Sequence, residues 1–295
     1  PEMFGTRGFV RPFRFFSGLP EWLNDFVVGT TLFMDVAGPF KAQTLSNGNC
    51  CAVNDDGEVQ FEGRRSVSML GFDLGWEITP ADWVALTPYL DGNLLVHTGG
   101  GGMHLGILSM FNILDVVKLG ARIEYRVMDE TYAPAYVNSW YEIERIDFLQ
   151  GKTKAKYFGD IADRPGPKKT LHGWHASLDV TILDAVTISG ILEDYQGRDN
   201  SNLMIRLILP YIVGVKLQAY YAKRNFNGIG EAFDLDRGLL VAEARYKFWG
   251  PLFVYGMYRR EWRLAQNSNE ADFVTRETGA YETINDWDFG IGVEF

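Results

Sequence analysis

The sequence predicts an all-β fold, a closed antiparallel transmembrane β-barrel of about twelve strands with short turns on one rim and long loops on the other. Three observations predict it. Apolar residues alternate with glycine or charge in stretch after stretch along the chain. Tight turns and longer connections take turns between those stretches, as a barrel inserted from one side requires. The chain also ends on such a strand, in which Trp287, Phe289, Ile291, Val293 and Phe295 alternate with Asp288, Gly290, Gly292 and Glu294.

Composition narrows the class. The 295 residues are 46% hydrophobic and 22% charged, with a formal net charge of −10. That is too hydrophobic for disorder, and the acidic balance argues against nucleic acid as a partner, since phosphates call for a basic surface. No apolar run reaches the roughly 20 residues of a spanning helix, so any crossing has to be made by strands. The 32 glycines, 20 Phe, 14 Tyr and 8 Trp suit strands and turns. The sequence opens at Pro1 without Met or a basic and apolar leader, the start either of a mature exported chain or of a sequence cut from a longer one, so export itself is not visible here.

Taken in order, strands are expected near residues 26–36, 65–78, 83–97, 103–112, 116–128, 170–182, 185–195, 202–210, 214–224, 238–248, 252–264 and 285–295. The clearest internal cases are Leu70 to Ile78, Val117 to Val127 and Leu240 to Phe248, each with one uniform apolar face. Tight turns fall at 79–82, 112–115, 183–185, 210–213 and 249–251. Longer connections fall at 37–64, 98–102, 129–169, 196–201, 225–237 and 265–284. If 136–148 and 152–158 are strands joined at Gln150-Gly151, the count becomes fourteen. Trp76, Trp83, Tyr211, Phe248, Trp249, Phe253 and Phe295 lie around the tight turns, where a girdle would meet lipid headgroups.

The final strand, Trp287 to Phe295, resembles the terminal signal of bacterial outer-membrane β-barrel proteins, and the short-turn, long-loop rhythm over residues 26–295 resembles theirs too. The resemblance is to a porin-like superfamily and implies a location, not a specific function. It implies an integral outer-membrane protein in contact with lipid and lipopolysaccharide, with Trp287, Phe289, Ile291, Val293 and Phe295 read by the barrel-assembly machinery. The barrel is expected over 26–295, with 1–25 as a separate N-terminal segment that plugs the lumen or lies at the periplasmic rim.

On that geometry the apolar faces point to lipid and the glycine and charge faces inward. The inward set carries both signs: Lys118, Arg122, Glu124, Arg126, Arg206, Lys216, Glu243, Arg245 and Lys247. Such a set is either a constriction that selects solutes by field and size or a ladder of ion pairs that holds a filled barrel together. Two segments are candidate gates or plugs. One is residues 1–25, with Arg7, Arg11 and Arg14 among phenylalanines and a short helix opening at Pro20. The other is loop 129–169, with Trp140, Glu142 and Arg145.

Catalysis and metals find less support. His172 and His175 fall on opposite faces of a strand, which spoils a chelating pair, and the glycines near His97 and His104 lack the ending of a phosphate loop. Cys50 and Cys51, adjacent in a loop, suit a vicinal disulfide in an exported chain. No cofactor and no metal are expected. The expectation is therefore a channel for passive diffusion of small solutes, not an enzyme. The alternatives are a closed structural or adaptor barrel that meets other envelope proteins through its long loops, and an outer-membrane hydrolase.

Overall fold

The computed structural model describes residues 3–42, 61–134, 136, 153–196, 201–228, 230–235, 238–264 and 281–294. They build one antiparallel sheet of fourteen strands. In order these are β1 (Met3–Val10), β2 (Phe26–Ala42), β3 (Phe61–Trp76), β4 (Ile78–Ala81), β5 (Val84–Leu95), β6 (Gly100–Ile113) and β7 (Val117–Asp129). After them come β8 (Thr170–Ile182), β9 (Val186–Tyr195), β10 (Ser201–Ile212), β11 (Val215–Phe226), β12 (Gly238–Trp249), β13 (Leu252–Leu264) and β14 (Tyr281–Val293). Each strand pairs with its sequence neighbours, except that β4 is a short branch on β5.

The sheet is not closed into a barrel, which corrects the sequence expectation. All twelve expected strands are present, as β2, β3 and β5 to β14. Closure of those twelve would have joined β14 to β2. The free edge of β2 is taken instead by β1, in register from Met3 opposite Asp35 to Val10 opposite Val28. The pairing path then ends on β1 at one side and β14 at the other. These two strands run in the same direction, because an odd number of alternating strands lies on the path, so they are not the antiparallel neighbours that the meander makes elsewhere.

Two further differences concern short elements. The segment 152–158, a strand only in the fourteen-strand alternative, forms a helix instead, α1 (Lys154–Ala162), capped by the Thr153 hydroxyl, which accepts from the Lys156 amide at 3.1 Å. Its spacing buries Ala155, Phe158 and Ile161 on one side, a helical period that the strand reading overlooked. The expected turn at 79–82 overlaps β4. Near the other end of the chain, two 3-10 turns, Pro12–Phe15 and Glu21–Asp25, link β1 to β2.

The two faces of the sheet differ as the alternation requires. Met103, Leu105, Ile107, Ile123, Trp174, Leu178, Trp287, Phe289 and Ile291 stand exposed on the outer face. Their strand neighbours Gly102, His104, Glu124, Arg126 and His175 are buried on the inner one. The sheet curls strongly, for Met69 on β3 and Ala222 on β11 border the same cavity. At the long-loop end the inner face is filled by Tyr132, Tyr136, Phe158 and Ile161, which pack on Val67, Leu95 and Met128.

At the other end three hairpins close in tight turns whose central residues have positive φ: Leu114 and Asp115, Leu183 and Asp184, Val213 and Gly214. Positive φ at both centres makes the type I′ turn, whose twist matches that of the strands it joins.

Candidate functional site

The inner face gathers its charge in two places. The upper one, towards the long loops, is built by register. Glu124 on β7 lies opposite His175 on β8, which lies opposite Glu193 on β9, which lies opposite Asn202 on β10. A stagger of two residues brings Arg126 opposite Gly173, itself opposite Tyr195. With no side chain at Gly173, the Arg126 guanidinium and the Tyr195 ring meet above β8 and hydrogen-bond. A β-carbon at Gly173 would run into that ring.

Glu124 is the centre of this cluster and is fully buried. Arg122 and Arg126 both pair with it, and the Tyr89 hydroxyl donates to it. Tyr89 reaches it by lying across Gly106, the residue directly opposite on β6. Arg126 also pairs with Glu193 at 2.8 Å, and His175 Nδ1 lies 3.3 Å from the same carboxylate. His104 Nδ1 stands 3.7 Å from Asp91 and 3.9 Å from Glu124, while its Nε2 is buried with no hydrogen-bond partner.

Asp91, His104, Arg122, Arg126, His175 and Glu193 border a cavity of about 400 Å³. Its wall includes Arg122, Arg126, Lys223 and Arg224 together with the carboxylates of Asp91 and Glu193. Tyr132 borders it from the long-loop side, its ring 6.0 Å from that of His104. Burial pushes the Tyr132 hydroxyl pKa up, so it stays a neutral hydroxyl group. Near it, in the turn between β5 and β6, burial and the Arg65 charge lower the His97 pKa to about 4. His97 packs edge-on against Tyr136 at 5.7 Å, and neither of its ring nitrogens has a hydrogen-bond partner.

The lower cluster sits by the short turns. Arg245 pairs with Glu243, and Tyr211 donates to Glu294 at 2.6 Å. Lys247 lies 4.3 Å above the Tyr211 ring and 3.8 Å from Glu294, with Lys216 at 5.9 Å from the same ring. Between the clusters Arg206 is exposed on the inner face, across from Ser189 and Tyr220. Lys118 stands apart, paired with Asp184 at 2.6 Å beside a turn.

The other expected residues are spread out. Arg7 on β1 pairs with Asp73 at 3.3 Å, whereas Arg11 pairs with Asp25 and Glu77 and Arg14 with Asp25 at the short-turn end. Trp287, Phe289, Ile291 and Val293 face outward on the edge strand β14. Trp140, Glu142, Arg145, Cys50, Cys51 and Phe295 lie outside the described residues. Among those described, no group of three His, Cys, Asp or Glu is placed to hold a metal ion. Sequence reasoning missed Tyr89, Asp91, His104, His175, Glu193 and Tyr195 as members of the upper cluster. Their inward position could be read from alternation, but their common level depends on register.

No protein-family model matches this sequence, and no curated protein matches it. Among solved structures it is similar to the FrpB iron transporter from Neisseria meningitidis (F3-3 variant), at 11% identity and a TM-score of 0.40, over 92% of this chain and 48% of that one. The chain thus spans about half of that protein's length. It is also similar to the toluene transporter TodX of P. putida, at 9% identity and a TM-score of 0.29, over 81% of this chain and 74% of that one.

Proposed function

We propose that this chain is an integral outer-membrane protein that carries small solutes along its charged inner face by passive diffusion. One observation carries the reading: strand after strand turns apolar side chains outward and charged ones inward, onto a cavity within a curled sheet. Outward apolar rows on strands long enough for the roughly 9–11 residues of a tilted crossing suit lipid. Arg206 and Lys216, on the inner face outside the cluster around Glu124, suit anionic solutes over cationic ones. Loop 129–169 is the candidate gate, since its described residue Tyr132 borders the cavity and Tyr136 belongs to the apolar filling packed with it.

The test is conductance of the purified chain in a planar bilayer, under a salt gradient. We expect steady conductance with a reversal potential on the anion side, moved towards the cation side by R206E and K216E. Both positions lie on the inner face and outside the ion-paired cluster around Glu124. Folded protein that carries no current would overturn the reading. It would favour instead an adaptor that meets envelope partners through its long loops, which the tight filling around Tyr136, Phe158 and Leu95 also suits.

A further inference from the structure

We infer that the short-turn end of the sheet does not stand in water but is seated in lipid, with Leu114, Leu183, Val213 and Trp249 placed where headgroups meet acyl chains. This rests on the membrane reading above and adds to it the depth at which the chain sits.

The first observation is the chemistry of the turns. Val213 is 94% exposed, Leu114 88%, Trp249 75% and Leu183 67%. Three of these are bulky L residues at positive φ, at 53° for Leu114 and Leu183 and 52° for Val213. A type I′ turn ordinarily places Asn, Asp or Gly there, because a branched side chain is disfavoured in that region. Three hairpins in one sheet thus accept a disfavoured backbone and present an apolar side chain at the tip. In water neither choice brings a benefit.

The second observation is continuity. Ile113, Val116, Ile182, Ile212, Val215 and Phe248 are exposed on the outer face just beside these tips. No polar collar divides the apolar outer rows from the turns on these hairpins. The carboxylates that do lie in the tips are partnered locally: Asp184 by Lys118 at 2.6 Å, and Asp115 by the Asn112 side-chain amide at 2.7 Å. Partnered carboxylates place the tips at the boundary level and not deep among acyl chains.

The third observation is length. On the outer face, towards the long loops, Tyr125 packs on Trp174 at 4.8 Å between ring centres and hydrogen-bonds His172 at 2.8 Å, an amphipathic cluster of the kind found at a membrane surface. From Trp174 to Ile182 β8 has about nine residues, and Tyr125 to Val117 on β7 has the same. A tilted strand needs roughly 9–11 residues to cross the hydrocarbon layer. On β7 and β8 the crossing therefore uses the strand down to its turn, and the opposite surface of the layer falls at the tips. Lipid accounts for all three observations together, whereas a protein partner at the tips leaves the third without an account.

The experiment uses the full chain in phosphatidylcholine and phosphatidylglycerol vesicles, in a C50S/C51S background. An environment-sensitive fluorophore is attached in turn at L114C, L183C and V213C. I123C serves as the outer mid-strand position and F233C as an exposed site between β11 and β12. We expect acyl-brominated lipid to quench the three turn labels several-fold more than the label at 233, with little quenching by aqueous iodide. If 123 is quenched by lipid but the turn labels answer only to iodide, the seating proposal falls and the membrane reading stands. If 123 is not quenched either, both fall. Turn labels shielded from iodide and from brominated lipid alike would mean that protein covers the tips, which also overturns the proposal. Three independent sites keep the test decisive should one variant fail to fold.

Discussion

Arg126 on β7 reaches over β8 to Glu193 on β9, its Nη1 2.8 Å from Oε1, while its Nε side binds Glu124 on its own strand. One guanidinium thus ties two carboxylates on strands that are not neighbours. Breaking a buried pair by removing one partner costs about 3–5 kcal/mol, because the remaining charge is left without compensation. Replacing Arg126 by Met leaves Glu193 and the fully buried Glu124 short of a cation, so a loss at the upper part of that range is expected. Urea unfolding from lipid vesicles, followed by the heat-dependent gel shift, measures it. A loss under about 1 kcal/mol would show that the cluster is well solvated.

The position of this cluster marks where sequence reading stops. Trp287, Phe289 and Ile291 alternate so cleanly with Asp288 and Gly290 that strand and face could both be read, although the strand begins at Tyr281, four residues before the expected start. Arg122, Glu124 and Arg126 were legible as an inward row for the same reason. Tyr89, His104, His175 and Glu193 join them through the registers of β5 to β9, and alternation sets a residue's face without setting its level. The strand β1 was missed because Met3–Val10 holds Gly5, Arg7 and Gly8 among its apolar residues, so neither period stands out. That one omission changes the architecture, for β1 takes the edge of β2 that closure would have used.

Gly173 gives a second prediction, since only its bare Cα lets Arg126 and Tyr195 meet across β8. Gly173→Ala would push the Tyr195 ring off its seat and with it the hydrogen bond to Arg126. Overpacking of this kind costs roughly 1–3 kcal/mol. Combined with Tyr195→Ala, the penalty should shrink without vanishing, since the added β-carbon also meets the Asp194 carbonyl oxygen at 2.7 Å, and a double-mutant cycle measures the coupling. Additive losses would mean that the ring does not depend on the glycine.

His97 supplies a pH dependence. Its pKa is lowered from 6.5 to about 4 in the folded chain, first by burial and then by Arg65. Above pH 6.5 it is neutral in both states and stability is at its full value. Between 6.5 and about 4 the unfolded chain binds a proton that the folded chain resists, so stability falls with falling pH and levels off below that window. The loss is at most about 3 kcal/mol, since each pH unit across that window is worth about 1.36 kcal/mol. His97→Phe keeps the contact with Tyr136 and should flatten this part of the profile. Urea midpoints between about pH 4 and 7 for both proteins decide it, and equal slopes would refute the assignment.

Val213 separates backbone strain from lipid contact. Val213→Asn creates Asn-Gly at the β10–β11 turn, the pair best suited to type I′ geometry, and should relieve roughly 1–2 kcal/mol of backbone strain. In water that gain would appear in full as added stability. At a lipid boundary the same change removes an apolar side chain whose burial is worth roughly 1.5–3 kcal/mol, so the two effects oppose each other. We expect Val213→Asn to leave stability in vesicles unchanged or slightly reduced. Val213→Gly, which relieves the strain without adding a polar group, should be lowered less than Val213→Asn. A clear rise in the urea midpoint for Val213→Asn in vesicles would place the turn in water, because only there does the relief of strain go unopposed.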